Sequence, residues 1–479
     1  MAHTSFDMQA FHAQIDDALK KHFPPSSPPT LPHPSALARA AASLPKASDA
    51  LSKPLGVSAT TTHLLDDIVP ALSGQALSPR YYGFVTGSVH PAAQAAEAVV
   101  AALDQNVQVH LPDQTIATDV EASALDLLAD LLGLSHPQTG APRGIFTGRT
   151  FTTGATGSNI LGLACAREHV LARRVPPGSP SVGELGILGA CVAAGVTNIQ
   201  VLTSMGHSSL SKAASVVGLG RASVKQMAKS PERPWLLDVD AVERELVARD
   251  GTGVATIIAV TFGIFAAALA PGTVFDKLRE RVSGVHLADS IAVDGHKLLN
   301  VPYDCGMFFT RSLPTLTNVF TNPNAAYLAS SAGAPIPSPL NVGLENSRRF
   351  RALPAYAVLR SEGRKGMAAM LGRMVELARR IACFVRDSEH YDWLPDGEAD
   401  VDDTHIIVLL RAKNLALNDE LVARINETRD MYVSGTSWGG RKAVRVAIGS
   451  WRVDVERDFA VVEAILSAVA EGRPYAAAV

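Results

Sequence analysis

Apolar residues recur at three- and four-residue spacing over residues 1–22, 36–75 and 91–133, and this pattern predicts helices in all three stretches. Between the first two, residues 23–34 are rich in proline and cannot hold a helix. From about Gly144 to Gly306 the pattern changes. Short apolar runs at 187–194, 199–202, 255–261 and 290–293 alternate with helical stretches, which predicts a mostly parallel sheet covered by helices. A helix dense in Arg and Met is expected over 353–387. Apolar runs at 405–410 and 444–448 and a last helix over 455–470 then predict a smaller α+β domain. The domain reading is an N-terminal arm (1–80), a large domain (81–345) and a small C-terminal domain (346–479).

One apolar stretch needs separate treatment, because no charged residue occurs from Gly251 to Phe275. Its length would suit a membrane span, but Gly263, Pro271 and Gly272 interrupt it and no aromatic belts flank it. The expectation is a pair of buried strand segments. The first residues include Asp7, Asp16 and Asp17 and lack the apolar core of a signal peptide, so no secretory leader is expected.

Charge narrows the partners. The 43 Lys and Arg against 46 Asp and Glu leave a net charge of −3, which offers no basic surface to nucleic acid or anionic lipid. Cys165, Cys191, Cys305 and Cys383 form no CxxC pair, so neither a disulfide framework nor a zinc site is expected and a reducing cytoplasmic compartment fits.

Two motifs carry candidate chemistry. Gly154-Ala-Thr-Gly-Ser-Asn159 precedes a helical stretch. Its small residues let backbone N–H groups approach an anion, Thr156 and Ser158 add hydroxyls, and the helix end favours phosphate. Alone, the motif equally describes an ordinary capped helix start. Asp289-Ser-Ile-Ala-Val-Asp-Gly-His-Lys297 places a lysine just beyond a short strand, where it can attack a carbonyl and form a Schiff base, although most lysines are simply surface residues. A phosphate cradle followed by a reactive lysine in one α/β domain is what pyridoxal phosphate (PLP) requires.

The segments Ser78-Pro-Arg-Tyr-Tyr-Gly-Phe, Phe151-Thr-Thr-Gly-Ala-Thr-Gly-Ser-Asn, Ser204-Met-Gly-His-Ser-Ser, Asp294-Gly-His-Lys, Val301-Pro-Tyr-Asp-Cys-Gly and Ser347-Arg-Arg-Phe-Arg resemble the group II PLP-dependent decarboxylases. That group includes the aromatic amino acid, tyrosine and glutamate decarboxylases. The resemblance implies PLP fold type I, the aspartate-aminotransferase-like arrangement, with a mostly parallel sheet in the large domain. It implies that Lys297 bonds the cofactor, that His296 lies near its phosphate, that Ala155 and Thr156 bind the phosphate, and that His207 stacks on the pyridine ring and shares the catalytic work with Lys297. Thr86 matches more loosely a threonine lining the pocket. A homodimer is implied too, with residues 1–75 helping to clasp the partner. The expected substrate is an L-amino acid, most readily an aromatic one such as tyrosine, DOPA or tryptophan, and the expected reaction releases its carboxylate as carbon dioxide.

Two departures stand out. Relatives have an aspartate that pairs with the ring nitrogen shortly before the position of Phe262, and here Ala259 occupies its place, with a βαβ-sized portion of about 30 residues missing between the two strands. Loss of that carboxylate weakens the electron sink, so slow decarboxylation or an inactive member is an alternative expectation. Relatives also carry a loop tyrosine that protonates the product carbon. Residues 329–341 hold none and Tyr327 lies just upstream, which leaves an aldehyde-forming reaction as a further alternative. In Ser347–Arg351, Arg349 is the candidate to fix the loop or substrate charge, with a structural ion pair as the plainer reading.

Overall fold

The computed structural model describes residues 8–45, 51–134, 145–322, 336–395 and 400–476. Tyr327 and residues 329–335 of the tyrosine-free stretch lie outside the described residues. In chain order the described strands are β1 (Tyr81–Tyr82), β2 (Gly148–Thr152), β3 (Asn198–Thr203), β4 (Val224–Gln226), β5 (Val254–Ile258), β6 (Ser290–Asp294), β7 (Gly306–Thr310), β8 (Tyr391–Leu394), β9 (Ile407–Ala412), β10 (Tyr432–Trp438) and β11 (Arg441–Ala447). The chain divides into two compact units, His90–Gly372 and the pair of segments Met1–Val89 and Arg373–Val479.

The His90–Gly372 unit carries two three-stranded sheets, ordered β4-β3-β5 and β2-β7-β6. The first is parallel throughout, whereas β7 runs antiparallel to both its neighbours. The Ala155–Ala172 helix packs on β5, β6 and β7. Its sequence explains how one helix serves two sheets. Leu163, Ala164 and Leu171 join Ile199, Val201, Ala255 and Ile257 in one buried cluster, while Leu161 and Cys165, on an adjacent stripe, join Phe308, Leu316 and Val342 in another.

Two expectations need correction here. The apolar run 187–194 is part of a helix, Val182–Ala193, and not a strand. A start signal was present: Ser181 and Glu184 form a reciprocal capping box. The uncharged stretch forms one strand, β5, then irregular backbone and a 3₁₀ turn at Ile264–Ala268, so its second strand segment is not made. Consequently β5 and β6 each stand last in their sheet, and Ile258, Val260 and Phe262 remain 49%, 50% and 40% exposed.

The other unit is built on a five-stranded sheet ordered β1-β10-β11-β9-β8, in which β1 is parallel to β10 and the remaining pairs are antiparallel. Fully buried Asp458 anchors it, pairing with Arg80 at 3.0 Å and Arg457 at 3.0 Å and accepting the Asp454 N–H at 2.9 Å. The helices expected at both ends of the chain form at Met8–His22, Pro34–Ser43, Gly56–His63 and Val455–Glu471. No described helix is long and apolar enough to cross a membrane.

Candidate functional site

Strand β2 ends at Thr152, and the chain turns through Gly154 into the Ala155–Ala172 helix. Gly154 has φ 147°, and a Cβ there would come within 2.9 Å of the His296 ring and 3.2 Å of Asp294 Oδ1, so only glycine lets the turn approach the 294–297 segment this closely. The N-cap residue, Gly154, has no side chain with which to cap the helix start. Thr156 is half-buried, and its hydroxyl makes no hydrogen bond among the described residues. Ser158 corrects the expectation that its hydroxyl serves an anion: it is fully buried, shares a 2.8 Å hydrogen bond with Thr152 and donates to the Met307 carbonyl at 2.9 Å.

Lys297 follows β6 on the short Gly295–Leu298 helix. Its Nζ lies 2.5 Å from Asp294 Oδ2, and Asp294 Oδ1 accepts the Ala155 N–H at 2.5 Å. The His296 Nε2 is 3.6 Å from the same Oδ1. At its other nitrogen, Nδ1 accepts the Cys305 N–H at 3.2 Å, which assigns the ring proton of the neutral form to Nε2, on the side of Asp294. Burial holds the His296 imidazole below the usual histidine range against the opposing pull of Asp294. Tyr303 lies against this ring with centroids 4.4 Å apart. Cys305 is fully buried and burial pushes its thiol far up, which leaves the Lys297 amine as the candidate nucleophile of this cluster.

His207 caps the Ser208–Val216 helix, and its Nδ1 is fixed by the Ser209 hydroxyl at 2.8 Å and the Ser209 N–H at 3.2 Å. Ser209 also accepts from Asn159 Nδ2 at 3.0 Å, which ties His207 to the first turns of the Ala155–Ala172 helix. His207 is otherwise an exposed residue. Just before it, at the end of β3, Thr203 is buried and its hydroxyl has no partner among the described residues. Thr86 belongs to the other unit, where its buried hydroxyl donates to the Gly83 carbonyl at 3.0 Å. Arg349 pairs with Glu97, which suits the structural reading of that arginine, while its neighbours Arg348 and Arg351 pair with Glu121 and with Asp304 and Glu345.

The structure therefore brings Ala155, His296 and Lys297 together and links His207 to them through Ser209 and Asn159. Sequence reasoning missed Asp294, which touches all three of the first group, and Gly306, on which the Gly154 turn sits. The signal for both lay in motifs already singled out, Asp294-Gly-His-Lys and Val301-Pro-Tyr-Asp-Cys-Gly. At the expected ring-nitrogen position, Ala259 extends β5 by donating its N–H to the Leu202 carbonyl at 2.9 Å and packs against the apolar cluster, with no carboxylate in its place. The groups that remain fit a phosphate ester and an aldehyde: a helix N-terminus whose first N–H is held by Asp294, two imidazoles and an amine.

Comparison with known proteins agrees. Residues 266–399 match the family model described as the pyridoxal-dependent decarboxylase conserved domain. Tryptophan decarboxylase 1 of Oryza sativa subsp. japonica is 25% identical over 434 residues, covering 82% of this chain and 80% of that protein. The aromatic-L-amino-acid decarboxylase of Sus scrofa is 26% identical over 366 residues, covering 70% and 71%. The crystal structure of Oryza sativa TDC with PLP and tryptamine superposes with a TM-score of 0.77 at 22% identity, covering 99% of this chain and all of that one. The scaffold is that of the PLP fold type I decarboxylases. Over residues 266–399 the chain thus carries the match to the pyridoxal-dependent decarboxylase domain, and across most of its length it is similar to these decarboxylases.

Proposed function

We propose that the protein is a PLP-dependent carboxy-lyase that converts an L-amino acid, of the aromatic class, into its amine and carbon dioxide. The observation that carries the reading is the convergence of the Lys297 amine, the His296 imidazole and the Ala155 N–H at one helix N-terminus. Bound PLP supplies an electron-accepting ring into which the electrons of the breaking carboxylate bond pass. The chain's own residues do the rest. Lys297 gives the amine that bonds the aldehyde, and the N–H groups of Ala155 and Thr156 hold the phosphate on the positive helix end. His296, kept neutral by burial, turns its Nε2–H toward that anion, and His207 offers an imidazole face pinned by Ser209. Together these residues would hold the cofactor at the helix end with its aldehyde beside Lys297. The aromatic class is supported by the tryptophan and aromatic-L-amino-acid decarboxylases among the relatives.

Within the same reading the protein works as a homodimer in the cytoplasm. Leu44, Leu51, Leu55, Val57 and Leu72 are all more than half exposed in the N-terminal segment, and such apolar exposure suits burial against a second subunit. The four free cysteines suit a reducing compartment.

The test is borohydride reduction of the PLP-loaded protein followed by peptide mapping, together with carbon dioxide release from tyrosine, DOPA, tryptophan and glutamate. Labelling is expected at Lys297, and Lys297→Ala should abolish both labelling and release. Persistent labelling of the Lys297→Ala protein, or release from glutamate alone, would overturn the assignment or the substrate class respectively.

A further inference from the structure

Asp294 is the carboxylate that this site was not expected to need, and its position is unusual in three ways. One oxygen takes the first backbone N–H of the Ala155–Ala172 helix at 2.5 Å, where a phosphate would bind. The other lies 2.5 Å from the amine that must bond the cofactor aldehyde. The His296 Nε2 stands 3.6 Å from the first oxygen, and the Asp294 side chain is only 11% exposed. A helix end, an ammonium group and an imidazole N–H thus converge on a single shielded negative charge.

We infer that Asp294 is a built-in counter-anion that competes with the cofactor's phosphate for the helix N-terminus and pins the Lys297 amine. The inference rests on the PLP reading of the site. Two anions cannot share the Ala155 N–H at hydrogen-bond distance, and their mutual repulsion at this degree of burial is weakly screened. Cofactor entry therefore requires the carboxylate to leave both contacts, which makes loading slower and weaker than the bare helix end would allow. Asp294 is accordingly a positioning residue: it acts on the cofactor through Ala155 and Lys297.

The experiment uses the full chain, stripped of PLP, and its Asp294→Asn variant. Inorganic phosphate is titrated as the simplest probe of the cradle, read by its shift of the melting curve, and PLP loading is followed by visible absorbance. Asparagine keeps the acceptor for Ala155 and removes the charge. The expected result is phosphate binding at least about tenfold tighter, with faster PLP loading. Asp294→Ser gives the same reading should the asparagine chain not fold. Unchanged or weaker phosphate binding in a folded variant, with PLP still bonded at Lys297, would overturn the inference and leave the PLP reading standing. Failure of the wild-type chain to form any Lys297-dependent absorbance would sink the PLP reading, and the inference with it.

Discussion

Gly306→Ala probes how the cradle is held. Gly306 pairs with Thr152 of β2 on one side and with Asp294 of β6 on the other, so the ladder fixes it from both directions. A Cβ at this position would lie 2.4 Å from Gly154 Cα, 2.7 Å from its carbonyl carbon and 2.8 Å from its nitrogen. All three are backbone atoms, and ordinary contacts begin near 3.4 Å, so the overlap is about one ångström and no side chain can swing aside to relieve it. Overpacking of this kind costs about 1–3 kcal/mol, and here the strain falls on the turn that presents the Ala155 N–H. The expected outcome is a urea unfolding curve shifted by about 2 kcal/mol and a PLP dissociation constant raised at least about tenfold, since each 1.4 kcal/mol is a factor of ten. Absorbance titration with PLP and circular dichroism in urea read the two effects separately. Stability within about 0.5 kcal/mol of wild type and unchanged PLP affinity would show that the Gly154 turn does not rest on β7, and the account of the cradle would fail.

Three further outcomes follow from burial elsewhere. Asp458→Ala leaves Arg80 buried without its anion and should cost about 3–5 kcal/mol in urea unfolding; a change below about 1 kcal/mol would contradict the anchoring role. Tyr82 is fully buried and its hydroxyl has no partner among the described residues, so Tyr82→Phe should be neutral or stabilising, because no hydrogen bond is lost; a clear destabilisation would reveal an overlooked partner. Burial lowers both His90 and His296 from the ordinary histidine value of 6.5. The unfolded chain therefore binds protons that the folded chain refuses, and stability is full above about pH 6.5 and is lost as the pH falls through the lowered folded values. His296→Asn removes one of these groups, so the fall between pH 7 and 5 should become shallower, as melting curves across that range will show.

The motifs made the centre of the site legible, because glycine in a tight turn and lysine after a strand announce themselves through residue type. The surroundings were less legible, for physical reasons. Asp294 stands in the Asp-Gly-His-Lys motif, but only the fold brings its carboxylate across to Ala155. Ser158 looked like a free hydroxyl and is consumed by Thr152 and Met307. The 187–194 run has no polar residue to mark a helical face, so its period was ambiguous, and the capping box at Ser181 held better information than the apolar residues did. Strands β8 and β10 passed unread because one spans four residues and the other, Tyr-Val-Ser-Gly-Thr-Ser-Trp, is largely polar. The position of Ala259 is read from the sequence, whereas the division of the strands into two sheets is a matter of pairing that no local pattern encodes.

That division leaves two strand borders, along β5 and along β6, that no strand of their own sheets covers. Rows of backbone donors and acceptors at such borders are templates for another extended chain, and the half-exposed Ile258 and Val260 continue one of them. Handling of the purified protein should reflect this: concentration and warmth favour growth of intermolecular β-structure from the middle of the cofactor unit, and a lysine in place of Val260 is the gatekeeper that would hold it in check.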